Sequence, residues 1–121
     1  MKKKIFAKGI SASSGFATGR LLFDWKRIKE FASKGEGVIL IKKEIGPQDT
    51  IFMGQTAGMI AQIGSLSCHA AIVARELGKP LIVNPKMAID FVNKKLKLGN
   101  KVLGEGDVVS IDAYKGEIIV N

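Results

Sequence analysis

A single histidine is the residue best suited to chemistry in this sequence. His69 lies in the segment 64–80, GSLSCHAAIVARELGKP, where a polar, glycine-containing loop precedes it and the small residue Ala70 follows it. Backbone amides at such a helix start are unshielded, and together with the helix dipole they favour a bound anion. A neutral imidazole is also a nucleophile near pH 7. The segment therefore suits a histidine that carries a phosphoryl group, although a lone histidine at a helix start is more often a capping or packing residue.

The residues around this histidine have competing interpretations. Ser67 either caps the helix, which is the commoner use, or hydrogen-bonds the imidazole. Cys68 is expected to be a packing residue, because adjacent helical side chains point about 100° apart and do not form a Cys–His pair. Gly64 is expected to let the loop approach a phosphate closely. Arg75 lies six positions after His69 on another helix face, which favours a structural ion pair or docking to a partner domain.

The helix that would carry the histidine is well delimited. It is predicted over residues 69–77, with Ser67 as N-cap, Gly78 as the C′ residue and Pro80 where the helix cannot continue. Apolar runs predict strands at 59–63 and 81–83. A strand, helix and strand in this order normally form a right-handed crossover between parallel strands.

The rest of the chain predicts a mixed α/β domain built on two or more sheets. The predicted elements are a glycine-rich loop at 9–19, a strand at 20–23, a helix at 25–33, a buried strand at 37–41, a short helix at 47–53, a helix at 87–94, and a hairpin of strands 107–112 and 117–120.

Composition limits the class of protein. A chain of 121 residues is the usual size of one domain. The net charge of +8 suits nucleic acid, an anionic membrane or phosphorylated molecules. The basic residues are dispersed and not interleaved with aromatics, so a nucleic-acid partner is not expected. The lone cysteine precludes an internal disulfide, and no apolar run reaches the roughly 20 residues of a membrane span. We therefore expect a soluble, cytoplasmic protein without a membrane partner.

The histidine segment resembles the phosphohistidine signature of the phosphoenolpyruvate (PEP)-utilising enzymes, which include pyruvate phosphate dikinase, PEP synthase and the first enzyme of the sugar phosphotransferase system. The residues that match this signature are Gly64, Ser67, His69, Ala70, Ala71, Ile72, Val73, Ala74 and Arg75. The likeness extends to residues 9–19, 38–49 and 106–116. The sequence departs from the family at Ser65, where a small Gly or Ala is usual, at Ser14, where Pro is usual, and at Asn84, where Gly is common.

The resemblance implies a swivelling β/β/α domain with mixed sheets and a helix that follows the histidine loop. It implies that residues 1–121 form one stand-alone mobile domain, in which His69 accepts a phosphoryl group, by likeness on Nε2, and passes it on. The partners implied are separate ATP-binding and PEP- or pyruvate-binding chains, which would hold Mg²⁺ and ATP or PEP. No metal or cofactor is expected on this chain, which has no Walker-type loop and no carboxylate cluster for magnesium. It would act in a transferase only together with those partners.

One alternative remains open at this point. The chain would then be a non-catalytic interaction or regulatory module that keeps the fold and has lost the chemistry. Ser65 and the short length favour this alternative, whereas the intact His69 and its helix start oppose it.

Overall fold

The computed structural model describes residues 4–64, 69–84, 86–98 and 100–120. Three α-helices lie in these ranges: α1 (Ile28–Ser33), α2 (Thr50–Met53), which continues a 3₁₀ turn over Pro47–Asp49, and α3 (His69–Leu77). The strands there are β1 (Lys4–Lys8), β2 (Ile10–Ser13), β3 (Phe16–Leu22), β4 (Val38–Lys42), β5 (Gly58–Ala61), β6 (Leu81–Val83), β7 (Ala88–Asp90), β8 (Lys95–Leu98), β9 (Lys101–Gly104), β10 (Val108–Asp112) and β11 (Glu117–Val120). None of the described helices is long and apolar enough to cross a membrane.

Eight strands form one sheet in the order β1-β11-β10-β3-β4-β5-β6-β2. The strands β3 to β6 run parallel, whereas the flanking pairs are antiparallel. β1 and β2 lie at opposite ends of this order but are separated in the chain by Gly9 alone, so the two edges of the sheet converge there. A Cβ at Gly9 would lie 2.5 Å from the carbonyl oxygen of Val83, so only glycine fits this crossing.

The parallel strands β4, β5 and β6 are buried on both faces, as their apolar sequences predict. In β4, Ile39 and Ile41 pack into a core shared with the antiparallel strands, whereas Leu40 packs into a second core beneath α3. A smaller core forms between α1 and the sheet around Leu22 and Ile28. The domain therefore has an antiparallel layer, a parallel layer and a helical layer, which confirms the predicted β/β/α architecture.

Two predicted elements are wrong. Residues 9–19 were expected to form a loop but belong mainly to β2 and β3, whose small residues let neighbouring backbones approach closely. A Cβ at Gly19 would lie 2.6 Å from the Gly37 carbonyl carbon, and of Gly9, Gly15 and Gly19 only Gly15 has a positive φ. The alternation of apolar and polar residues is weak over residues 9–19, because these positions require small residues for close packing and do not form a hydrophobic face.

The second wrong element is the helix predicted over residues 87–94. This segment instead contains β7, which joins β8 and β9 in a three-stranded antiparallel sheet. The Asp90 carboxylate accepts hydrogen bonds from the backbone amides of Val92 and Asn93, both at 3.0 Å, which closes a turn in place of a helix. Lys94 then has a φ of 54°, which ends any helical continuation.

A charged network fastens this small sheet to the region around α1. The Glu105 carboxylate accepts a hydrogen bond from Arg27 at 3.0 Å and lies 3.4 Å from the ammonium of Lys94. The same ammonium lies 3.6 Å from Asp24. Glu105 is only 12% exposed, so it is the least solvated member of the network.

Candidate functional site

His69 is the first residue of α3 and its side chain is exposed. The helix follows the carboxyl end of β5, and β5 lies between the parallel strands β4 and β6. In open α/β sheets, ligands bind at the carboxyl ends of the parallel strands. Sequence and topology thus bring the histidine to the edge where such folds bind ligands. The predicted roles of Ser67 and Cys68 fall outside the described residues and stay predictions.

Helix α3 packs on the sheet through alanines and presents the histidine on its opposite side. Ala70, Ala71 and Ala74 are buried in the core beneath the helix. His69 and Ile72 are exposed, and their i, i+3 spacing places them together on the outer face. The side chain of Ala70 therefore packs on the sheet, while the outer face is open to a large partner.

The start of α3 has the positive end of the helix dipole. The first turn contains no acidic residue that would compensate the positive end of the helix dipole. The first four amides of a helix have no helical acceptor. The positive end of the helix dipole would therefore favour an anion attached to the side chain of His69.

Gly64 lies beside the helix start. It is exposed and lines a small cleft together with Ala70, Ile63 and Val83. The volume of this cleft is about 30 Å³, enough for a water molecule but not for a nucleotide. The structure thus brings Gly64, Ala70 and His69 together at one end of α3.

Arg75 lies in the last turn of α3, away from the face that carries His69. Its Nε donates a hydrogen bond of 3.0 Å to the carbonyl oxygen of Ala12 in β2. The helix ends just beyond it at Gly78, whose φ is 68° and whose amide bonds the Arg75 carbonyl at 3.2 Å. This αL ending is the predicted C′ glycine. The hydrogen bond to Ala12 connects Arg75 to the sheet, a contact that neither predicted role included.

A buried carboxylate, which the sequence analysis missed, organises the same edge of the sheet. Asp49 is 2% exposed and accepts hydrogen bonds from the Lys42 ammonium at 2.8 Å, the Trp25 indole at 2.6 Å and the Gly46 amide at 2.8 Å. Burial by itself raises the pKa of Asp49, but these three donors outweigh it and hold the pKa below its ordinary value.

The position of this cluster relates it to the histidine. Lys42 is the last residue of β4 and pairs with Ala61 at the end of β5, from which the chain leads to His69. Helix α2, directly after Asp49, contacts α3. The sequence signal was faint: Asp49 follows Gly46 and Pro47 at a helix start, where an exposed acidic residue is common. Nothing in the pattern marked this carboxylate as buried.

The described residues contain no group of three or more His, Cys, Asp or Glu side chains that could hold a metal ion.

Comparisons with known proteins agree with this geometry. Residues 34–116 match the family described as the PEP-utilising enzyme, mobile domain. Over 120 residues the chain is 33% identical to pyruvate, phosphate dikinase 2 of Zea mays, covering 98% of this chain and 14% of that protein. It is 36% identical over 119 residues to pyruvate, phosphate dikinase of Giardia intestinalis, with the same coverage. The chain thus spans a small part of these relatives.

A solved structure shares the fold over nearly the whole length. The solution NMR structure of a protein described as UPF0107 superimposes with a TM-score of 0.59 over 99% of both chains. The sequence identity is 14%, so this likeness concerns the fold alone.

Proposed function

The chain belongs to the family of PEP-utilising enzyme mobile domains, and from that premise we propose that it is a phosphoryl carrier in which His69 accepts and passes on the phosphoryl group. The observation that carries this proposal is the position of His69. The one histidine of the chain is exposed, begins α3 and lies at the carboxyl ends of the parallel strands. Its segment also matches the family signature at the residues given above.

The chemistry requires two displacements at phosphorus. In the first, the lone pair of a neutral imidazole nitrogen forms a bond to phosphorus, and the bond from phosphorus to the donor oxygen breaks with its electron pair leaving on that oxygen. In the second, an acceptor oxygen attacks, and the nitrogen–phosphorus bond breaks with its pair returning to the ring. The proton of the acceptor passes to a base or to solvent. Histidine thereby divides one transfer into two steps.

A helix start can supply only a small part of the transition-state stabilisation. A charge at a helix terminus is stabilised by about 0.3–2 kcal/mol. Enzymatic rate enhancements require at least about 8 kcal/mol. The start of α3 therefore holds and orients the phosphoryl group, while the main transition-state stabilisation must come from catalytic partners.

These partners are part of the proposal. The relatives are named as dikinases and are about seven times longer than the matching segment. We infer that ATP, PEP or pyruvate, and Mg²⁺ bind to partner domains, which on the stand-alone interpretation are separate chains. The outer face of α3, with His69 and Ile72 exposed, is the surface that would enter their active sites.

The test is the intact mass of the protein after incubation with host-cell extract and either ATP or PEP. The reaction is kept alkaline because phosphohistidine is acid-labile. We expect one added phosphoryl group on the natural protein, lost on acidification and absent from His69→Ala. The donor that gives the adduct identifies the catalytic partner. If well-folded protein gains no adduct from either donor, the non-catalytic module is the better interpretation.

A further inference from the structure

Arg75 makes a contact that the carrier chemistry does not use. It lies at the opposite end of α3 from His69, yet it connects the helix to β2 through its hydrogen bond to Ala12. We propose that Arg75 is a positioning residue: its bond to β2 fixes the tilt of α3 and so sets where the imidazole of His69 is presented. The consequence for transfer rests on the carrier function proposed above, whereas the consequence for helix tilt does not.

The rest of the helix–sheet contact gives this bond its importance. Beneath α3 the buried packing residues are Ala70, Ala71 and Ala74, and the partly buried Val73 packs against the same core. A methyl group buries little area, and it does not interlock as a branched side chain does. A contact made mainly by methyl groups fixes the distance of the helix from the sheet better than it fixes the angle of the helix. A directional hydrogen bond from a guanidinium supplies the additional restraint.

The acceptor of this bond is both available and rigid. The pairing of β2 with β6 shifts register between Ser11 and Ser13, which places Ala12 in a bulge. A bulged residue is left out of the regular ladder. Ala12 is nevertheless 3% exposed and packs in the core beneath α3, so its carbonyl is held in place. Arg75 thus binds a fixed point on the sheet.

The distance along α3 from Arg75 to His69 is long enough for a small tilt of the helix to move the histidine. Six residues of α-helix, from Arg75 to His69, span about 9 Å. A tilt of about 10° around the Arg75 end would move the start of the helix by about 1.6 Å over that length. Misplacement by about 1 Å can cost on the order of 100-fold in rate. We therefore expect loss of the bond to slow transfer by about tenfold or more.

Three variants separate this role from loss of charge or of packing. Arg75→Met keeps an apolar stem and removes every donor, whereas Arg75→Lys keeps the charge and one donor. Lys79→Met is the matched control, since it removes a positive charge next to the same helix end and the Lys79 side chain makes no hydrogen bond or ion pair within the described part of the chain. Arg75 is exposed and Lys79 lies beyond the end of the helix, so all three variants should fold.

The first measurement is the orientation of α3 relative to the strands, from amide residual dipolar couplings on each full-length variant. The second is the rate of transfer from the donor identified by the mass experiment, with kcat and KM for the donor partner determined separately. We expect Arg75→Met to change the orientation of α3 and to lower kcat by about tenfold or more with KM nearly unchanged. Arg75→Lys should recover part of both losses, and Lys79→Met should match the natural protein.

Two results would overturn the proposal. One is an unchanged orientation of α3 in Arg75→Met. The other is a rise in KM alone, which would make Arg75 a docking contact. If the natural protein accepts no phosphoryl group, the carrier function fails by itself, and the couplings still decide whether Arg75 fixes the helix.

Discussion

Replacing Asp49 by Asn should destabilise the domain by about 2–4 kcal/mol at pH 7, because a buried charge pair loses one partner. Asparagine keeps one acceptor oxygen, but its amide group brings donors against Lys42, Trp25 and the Gly46 amide, which are themselves donors. At least one donor of the cluster then loses its acceptor, and each such loss costs about 1–3 kcal/mol.

The pH dependence follows from the lowered pKa of Asp49. A carboxylate whose native pKa lies below its unfolded value stabilises the fold fully above the unfolded pKa, and this stabilisation disappears as the pH falls through the native pKa. The difference in unfolding free energy between the natural protein and Asp49→Asn should therefore be constant at neutral pH. It should shrink as the pH falls below about 4.

Urea unfolding of both proteins between pH 7 and pH 3 measures this difference. The fluorescence of Trp25, which stacks on Phe52 with ring centroids 4.8 Å apart, reports the same region. Asp24→Asn is the matched control, because Asp24 is 36% exposed and its pair with Lys94 is partly solvated. A difference below about 0.5 kcal/mol at pH 7, or one that stays constant through pH 3, would refute the assigned role of Asp49.

Two further substitutions test the end of helix α3 and the charged network that attaches the three-stranded sheet. Gly78→Ala should cost about 1 kcal/mol in urea unfolding, because the φ of Gly78 is 68°, whereas Gly54→Ala, at φ −66° and with equally open space, should be neutral or stabilising. Equal effects at both glycines would contradict this explanation. Glu105→Gln should lower the free energy of unfolding by about 1 kcal/mol at low salt and by less at 1 M NaCl. Glu30, which is more exposed, also pairs with Arg27, and Glu30→Gln should have a smaller effect. A loss that does not depend on salt would mean that packing, and not charge, holds Glu105.

The helix that carries His69 was predictable because local signals delimit it. Gly78 requires a positive φ and Pro80 prevents continuation, so the end of α3 follows from the chain itself. The start agrees with the structure at His69. Strand β6 was predictable as well, because its three apolar residues follow Pro80 directly. In this segment the local sequence signals and the tertiary packing favour the same helix, α3, and the same strand, β6.

The missed elements are those that long-range pairing determines. β2 and the first part of β3, residues 16–19, are rich in small residues whose place in the sheet depends on partners about 70 to 90 positions away, such as Ser110 opposite Thr18, whereas the strand predicted at 20–23 agrees with the second part of β3. The turn at Asp90 competes with a helix through side-chain hydrogen bonds that periodicity does not register. In both segments the residue types can be read from the sequence, but the strands with which these segments pair cannot.

The same contrast between local signals and long-range contacts applies to the candidate site. The histidine and its helix were predicted from one continuous segment, whereas the contact from Arg75 to Ala12 spans 63 positions. The Asp49 cluster joins Lys42 at the end of β4, Asp49 in the 3₁₀ turn and Trp25 in the segment before α1, so its burial depends on how these separate segments pack. The histidine and its helix are local features of the sequence, but the orientation of that helix depends on the whole fold.

The pairing of β1 with β11 has a consequence for how such a domain is tethered. Lys4 lies opposite Val120, so the polypeptide enters and leaves the domain at neighbouring points, roughly 5 Å apart as paired strand residues are. Inside a longer protein, segments joined to these two strands would start side by side, so a movement of the domain relative to the rest of that protein would leave the paired strands intact.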